Sequence, residues 1–252
     1  MEPSELASKK AYRGLPMEGM LASWYAKNTA KLAADFKACA RRIAARLAPS
    51  ARVLEVAPGP GYLAIELAKL GRYRITGVDI SRSFVRMATE HAARAAVDVD
   101  FRQGDAAALP FADDTFDFIV CRAAFKNFSN PVTALGEMHR VLRPDGKALI
   151  IDMRNDASNE AIDSTVDDMR LGPVDAFLTR AIFKHMLRRR AYSRDDFARM
   201  AAASPFERPT SRRRRWGSRS GCANRRRTIV PMRRPETIRP GPGSRLRGAR
   251  GS

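Results

Sequence analysis

The sequence predicts an α/β fold, a doubly wound and mostly parallel sheet, and three observations carry that prediction. Between Arg52 and Met153, apolar strand-like runs alternate with helix-like runs. Such alternation needs crossover connections, and crossovers make neighbouring strands parallel. The first run, Val53–Val56, ends at an acid and then a Pro/Gly turn, APGPG, that opens a helix-like run. Strand, glycine turn and helix is how α/β proteins hold a nucleotide-bearing ligand. Finally, 44% of the 252 residues are hydrophobic, enough for one packed α/β domain with a tail.

The elements follow in order. Residues 1–50 read as a helical cap: Ala30, Leu32, Ala33, Phe36 and Ala40 recur at helical spacing, as do Ile43, Ala44 and Leu47, until Pro49 and Ser50 break the pattern. Residues 51–206 form the main domain. Its strands are predicted at Arg52–Val56, Arg74–Asp79, Val97–Gln103 and Phe116–Cys121, with Lys147–Met153 after the turn RPDG. Helices are predicted at Leu63–Leu70, Phe84–Ala95 and Pro131–Leu142, and residues 155–203 return to helix. After Phe206 the apolar periodicity vanishes. Residues 207–252 are rich in Arg, Pro and Gly and are predicted to be disordered, because they bury too little surface to offset their ordering entropy.

Charge and cysteine usage exclude several classes. Of the net +19, residues 208–252 carry +14, from fifteen Arg, no Lys and one acid, which leaves +5 for residues 1–207. The body is only mildly basic. Cys39, Cys121 and Cys222 lie far apart, so neither a disulfide framework nor a metal site is expected. No apolar run approaches the roughly 20 residues of a membrane helix, and the N-terminal stretch lacks a signal-peptide core, so a cytoplasmic protein is expected.

A parallel sheet leaves its ligand crevice outside the carboxyl ends of its strands. There stand Glu55 with the glycines Gly59 and Gly61, Asp79 at the second strand end, Asp105 at the third and Cys121 at the fourth. Asp79 suits ribose hydroxyls, and Asp105 suits an exocyclic amine. Two ligands fit. Gly59-x-Gly61-x-x-Ala64 satisfies a dinucleotide pattern, but Pro58 and Pro60 each remove an N–H that a pyrophosphate would need. S-adenosylmethionine, which has no phosphate, would not miss those donors.

The runs VLEVAPGPGYLAIELA, ITGVDIS, VDFRQGDAAALPFADDTFDFIVCRAAFKNFSNP and ALGEMHRVLRPDGKALIIDM resemble the successive motifs of class I S-adenosylmethionine-dependent methyltransferases. They come nearest the ubiquinone/menaquinone-biosynthesis branch, over roughly residues 45–155. The resemblance implies a Rossmann-like fold and S-adenosyl-L-methionine as cofactor. It places Glu55 at the methionine ammonium, Asp79 at the ribose, Ile80, Asp105 and Ala106 at the adenine, and Cys121 in the backbone lining the methionine end. Ala57 stands where the family has its first glycine, and is expected to be tolerated if its φ is negative. It also implies a small-molecule methyl acceptor bound by residues 1–30 and 155–200. No residue is singled out as a general base.

Other residues have plainer readings. Trp24 and Tyr25 are expected to pack, with a lid over the cofactor as the alternative. His139 is expected in a structural role, and His91 and His185 show no partner in the sequence.

The family's closing antiparallel hairpin has no counterpart after Phe206, so the hairpin is expected to be missing or altered. A basic tail without a single Lys fits a GC-rich gene read out of frame. Trp216–Arg225 admits codons that a two-base shift regroups as GFEVWLRKP, a strand-like run. Resequencing across the codons for residues 200–230 tests this, and an intact frame refutes it. Two rival readings give the chain another role: a nucleic-acid-binding methyltransferase that uses the Arg-rich tail, or a cofactor-binding protein without catalysis.

Overall fold

The structure, a computed structural model, describes residues 12–13, 17–169, 171–207 and 228–231. Helices α1 (Gly19–Thr29) and α2 (Ala33–Ala44) precede the sheet. Then come β1 (Arg52–Val56), α3 (Tyr62–Ala68), β2 (Arg74–Asp79), α4 (Arg82–Arg94), β3 (Asp100–Gln103) and β4 (Phe116–Arg122). They are followed by α5 (Pro131–Val141), β5 (Leu142–Ile151), α6 (Asn159–Asp168), α7 (Pro173–Ala181) and α8 (Arg194–Ala202). Helix α7 runs on through a π-helical stretch, Ile182–Leu187, into a last turn at Arg188–Arg190.

The sheet order is β3-β2-β1-β4-β5-β6, and every pairing is parallel. The order reverses between β1 and β4, which opens the crevice at their carboxyl ends. β3 is shorter than its apolar run suggests, and the RPDG turn lies inside β5, which is irregular opposite Phe116–Phe118.

β6 (Thr228–Pro231) corrects the expectation of disorder for that stretch of the tail, while the family's hairpin is altered as expected. It pairs with β5 from Lys147↔Thr228 to Ile150↔Pro231, in parallel rather than in the family's antiparallel sense. An open strand edge presents a row of unpaired N–H and C=O groups. The β-branched run Thr228–Val230 is the stretch of the tail best suited to fill it, and Pro231 is tolerated because edge strands need not donate on both sides. Glu207 closes a 3₁₀ turn, Pro205–Glu207, and the rest of the stretch read as disordered lies outside the described residues.

Alternation along the buried strands sends side chains into two apolar layers. Leu54, Val56, Ile119, Cys121 and Ile150 meet Leu135, Met138 and Val141 of α5. Val53, Ile75, Phe118, Val120 and Leu149 meet Phe36, Ala40 and Ile43 of α2 and Leu63 and Leu67 of α3. Each fully buried aliphatic side chain contributes about 1.5–3 kcal/mol of transfer free energy, so the sheet's central strands are the stable platform of the molecule.

The cap is pinned to this platform by polar contacts. Glu18 accepts hydrogen bonds from the backbone N–H groups of Arg82 (2.9 Å) and Ser83 (3.0 Å), the free donors at the start of α4. Ser81 caps α4 by accepting from Phe84 N–H, and its hydroxyl donates to the Met17 carbonyl. Tyr62 donates to the Ala26 carbonyl at 3.0 Å, and the Tyr25 ring lies 5.7 Å from Phe84.

Candidate functional site

Strand parity decides which side chains meet at the crevice. Glu55 follows Val53, Asp79 follows Ile75 and Gly77, and Arg122 follows Phe118 and Val120. All three therefore project onto the face covered by α2 and α3. Cys121 points to the other face, is fully buried, and has its thiol pushed well up by burial, so only its backbone, opposite Val56, borders the crevice.

Glu55 is 3% exposed, and its Oε2 has no hydrogen-bond partner. Burial raises its pKa to about 8, against the opposing pull of Arg122 and the Ala64 N–H. Asp79 is 5% exposed and raised to about 6, again by burial. Its Oδ2 accepts from Gly59 N–H and its Oδ1 from Ser81 N–H, both at 2.9 Å. Asp105 and Ala106 are half-buried in the turn after β3, where Asp105 Oδ1 accepts from Ala107 N–H at 2.9 Å. Ile80 is half-buried beside Asp79, and its carbonyl accepts from Gln103.

The loop is tightly wound. Ala57, Gly59 and Gly61 all have positive φ, at 57°, 57° and 81°. For Gly61 this is obligatory: an added Cβ would stand 2.8 Å from both Ala88 Cβ and Phe101 Cζ. For Ala57 it is a correction, since tolerance was expected on a negative φ. Its conformation is held by the N–H donated to the Val78 carbonyl at 2.7 Å.

The loop's amides bear on the two ligands that the sequence allows. Gly59 N–H is taken by Asp79 and Gly61 N–H by the Pro58 carbonyl, and Pro58 and Pro60 have none. Residues 57–61 therefore offer a pyrophosphate no free amide, and only the first turn of α3 could donate to one. What the crevice does offer is a buried carboxylate oxygen in want of a donor, a second buried carboxylate, and close backbone. That acceptor set fits an ammonium and ribose hydroxyls.

Several side chains at the crevice had no assigned role in the sequence. Lys126, 5% exposed, donates from Nζ to Asp152 Oδ1 (2.8 Å) and to the Ala123 carbonyl, tying the ends of β4 and β5 together. Arg122 pairs with Asp35, and its guanidinium stacks 4.3 Å over Phe36. Tyr25 is raised by burial, and its ring packs against Phe84 of α4. Tyr12 is likewise raised by burial, to about 12. Parity along β4 was the signal that could have found Arg122.

His91 and His139 are structural. His91 has partners after all: its Nδ1 lies 2.9 Å from the Pro60 carbonyl and its ring stacks on Tyr62. His139 meets Phe206 edge-on. A groove of about 490 Å³, lined by Arg52, Arg74, Asp100 and Phe111 among others, lies at the opposite, amino ends of β1–β3. Among the described residues no helix is long and apolar enough to cross a membrane.

Residues 54–150 match the family described as a methyltransferase domain. Over 102 residues the chain is 40% identical to the uncharacterized methyltransferase YcgJ of Bacillus subtilis, covering 40% of each chain. Over 108 residues it is 38% identical to the demethylmenaquinone methyltransferase of Deinococcus radiodurans, covering 42% of this chain and 45% of that one. The chain thus spans less than half the length of these two relatives. Among solved structures it is similar to a candidate S-adenosyl-L-methionine-dependent methyltransferase of Methanococcus maripaludis. The TM-score is 0.60 at 22% identity, over 73% of this chain and 81% of that one, which speaks for the fold.

Proposed function

We propose, from the premise that residues 54–150 are a methyltransferase domain of the S-adenosylmethionine-dependent class, that this chain transfers a methyl group to a small-molecule acceptor. The observation that carries the reading is the orphaned Glu55 Oε2 beside Asp79 at the sheet's switch point. Bound S-adenosylmethionine supplies the electrophilic methyl group and the sulfur leaving group.

The chain's own residues bind, orient and exclude water. Glu55 would take the ammonium, Asp79 the ribose hydroxyls, and Ile80, Asp105 and Ala106 the adenine. The loop through Ala57, Gly59 and Gly61 lets backbone come close, and Cys121 contributes its backbone. Helix α1, held by Glu18 and Ser81, serves as the lid with Tyr25 beneath it. Holding nucleophile and methyl in near-attack geometry is worth about 7–11 kcal/mol, so positioning alone supplies a large part of the acceleration. The relative named for demethylmenaquinone makes aromatic quinols the first acceptors to try.

Calorimetric titration with S-adenosylhomocysteine, with NAD as control, tests the cofactor assignment. Micromolar binding of the first and silence from the second is the expected result. Tight NAD binding, or no binding of S-adenosylhomocysteine, overturns it.

A further inference from the structure

We propose that the groove at the amino ends of β1–β3 is a second ligand site, and that it takes a phosphomonoester carried on a small aromatic body. The groove lies at the opposite end of the sheet from the cofactor crevice, and the inference does not depend on the methyltransferase reading.

The groove exists because one crossover lacks its helix. The connections β1–β2, β2–β3 and β4–β5 run through α3, α4 and α5, but residues 104–115, between β3 and β4, form no helix. No crossover helix therefore covers the α5 face of β2 and β3. Strand parity puts Arg52, two residues before Leu54, and Arg74, four before Val78, on that face.

Two observations set the groove apart from an ordinary solvated patch. First, Arg52 and Arg74 are register partners on adjacent parallel strands. Their backbones stand about 4.7–4.9 Å apart, and like charges set side by side repel. Among the described residues neither guanidinium makes a hydrogen bond or an ion pair. The nearby acids serve other donors: Asp117 takes Arg143 and the Arg52 backbone N–H, both at 2.8 Å, and Asp100 takes Arg102. Asp98 lines the groove but pairs with neither arginine, so three guanidiniums against two carboxylates leave the lining at a net +1.

Second, the groove has an apolar wall. Phe111 meets Phe116 edge-on with ring centroids 4.9 Å apart, Arg102 lies 5.6 Å over Phe111, and Arg52 lies 5.9 Å over Phe116. Tyr73 and Pro110 extend the wall. Stacking on Phe116 orients the Arg52 fork, which limits the entropy lost when an anion binds. The volume of about 490 Å³ suits a small molecule. A phosphomonoester carries about 1.5–2 negative charges at neutral pH and three acceptor oxygens, so it can answer both forks, whereas a carboxylate brings a single charge.

Calorimetric titration of the full chain with phenyl phosphate, inorganic phosphate and phenol tests the site. Phenyl phosphate is expected to bind tightest, since it alone uses both the arginines and the wall. Arg52→Gln and Arg74→Gln should each weaken it about tenfold, the worth of a charge-assisted hydrogen bond. Arg74→Lys, which keeps the charge but loses the fork, should fall between. The arginines of residues 208–252 also attract phosphate, but they are the same in every variant. Uridine 5′-monophosphate, run alongside, distinguishes the sources: tighter binding than phenyl phosphate identifies a nucleotide, and weaker binding a simple aryl phosphate. Melting temperatures separate a ligand site from a brace. Arg74→Gln, relieved of repulsion, should melt no lower than the unaltered protein, and phenyl phosphate should raise the melting temperature less in the variant.

Equal phenyl phosphate affinity in the unaltered protein and both Gln variants overturns the proposal and leaves the phosphate to residues 208–252. So does phenyl phosphate that binds no tighter than inorganic phosphate, or not at all. Gln variants that melt well below the unaltered protein make the arginine pair a structural brace, which overturns it too. None of these results touches the methyltransferase reading, which S-adenosylhomocysteine tests separately.

Discussion

Ala57 sits at φ +57°, where a β-carbon crowds the following carbonyl, and the left-handed conformation costs a non-glycine residue about 1–2 kcal/mol. Glycine would relieve that strain but widen the unfolded ensemble by about 0.4–1 kcal/mol. Ala57→Gly should therefore raise stability by roughly 0.5–1 kcal/mol in denaturant unfolding. A destabilised variant would show that the alanine methyl group packs usefully. Glu55 gives a prediction in pH. Its pKa is pushed by burial to about 8, so below that the folded protein holds a proton that the unfolded chain releases. The sign follows: the contribution of Glu55 to stability falls as pH rises from the usual carboxylate range toward 8. Binding an ammonium needs the ionised form, so affinity must run the opposite way. S-adenosylhomocysteine should tighten by up to about tenfold per unit between about pH 6 and 8 and then level off. Asp79, raised to about 6, ionises in part of the same window, but it would act equally on the ribose of 5′-methylthioadenosine, which has the same nucleoside and thioether without the amino acid group. The ratio of S-adenosylhomocysteine to methylthioadenosine affinity isolates Glu55, and Glu55→Gln should make that ratio independent of pH. A ratio that is flat in the unaltered protein refutes the ammonium assignment.

Elements differ in how far their signals are local. β1, the glycine turn and α3 were readable from the sequence because strand, turn and helix signals are contiguous between Val53 and Ala68. The parallel order followed from alternation alone. β6 was not readable: its four residues are swamped by arginines on either side, and what recruits them is the open edge of β5, formed some 80 residues earlier in the chain. The sign of φ at Ala57 was equally hidden, because it depends on a hydrogen bond to Val78 on the next strand. Arg122 could be seen as a residue but not as a partner. Its neighbours Asp35 and Phe36 lie on α2, 87 and 86 positions away, and only the packed fold brings that helix over the β4 end. The cap shows the same dependence. Glu18 reads as one acid in a helical stretch, yet it supplies the acceptors for two free amides of α4. Composition and period thus find the platform, whereas long-range pairing places the groups that would discriminate among ligands.

At the scale of the whole molecule, charge and sheet edge are joined in one stretch of chain. Residues 208–252 carry +14 of the net +19 and also contain β6, the strand on the open side of β5. A chain ending at residue 207 therefore changes two properties at once. It loses β6, leaving β5 with unpaired backbone groups that invite pairing with another copy, and it loses most of the self-repulsion that keeps copies apart. Both changes favour association, so the shortened protein should elute as larger species and melt at a lower temperature than the full chain. The same comparison bears on nucleic acid. A stretch bearing fifteen arginines and one acid is a polyelectrolyte. Its affinity for duplex DNA should fall with salt at a log–log slope of about −0.9 per phosphate neutralised, while the shortened chain, at +5, should show little affinity or slope. Such binding would be independent of sequence and would not make nucleic acid the methyl acceptor, because the acids at the crevice stay the same in both chains. S-adenosylhomocysteine affinity, measured on both, should agree within about threefold, since β5 and β6 lie on the far side of β4 from Glu55 and Asp79. A shortened protein that stays monodisperse and melts like the full chain would show that β6 adds nothing to the sheet. One that loses S-adenosylhomocysteine altogether would show that the platform itself depends on its last strand.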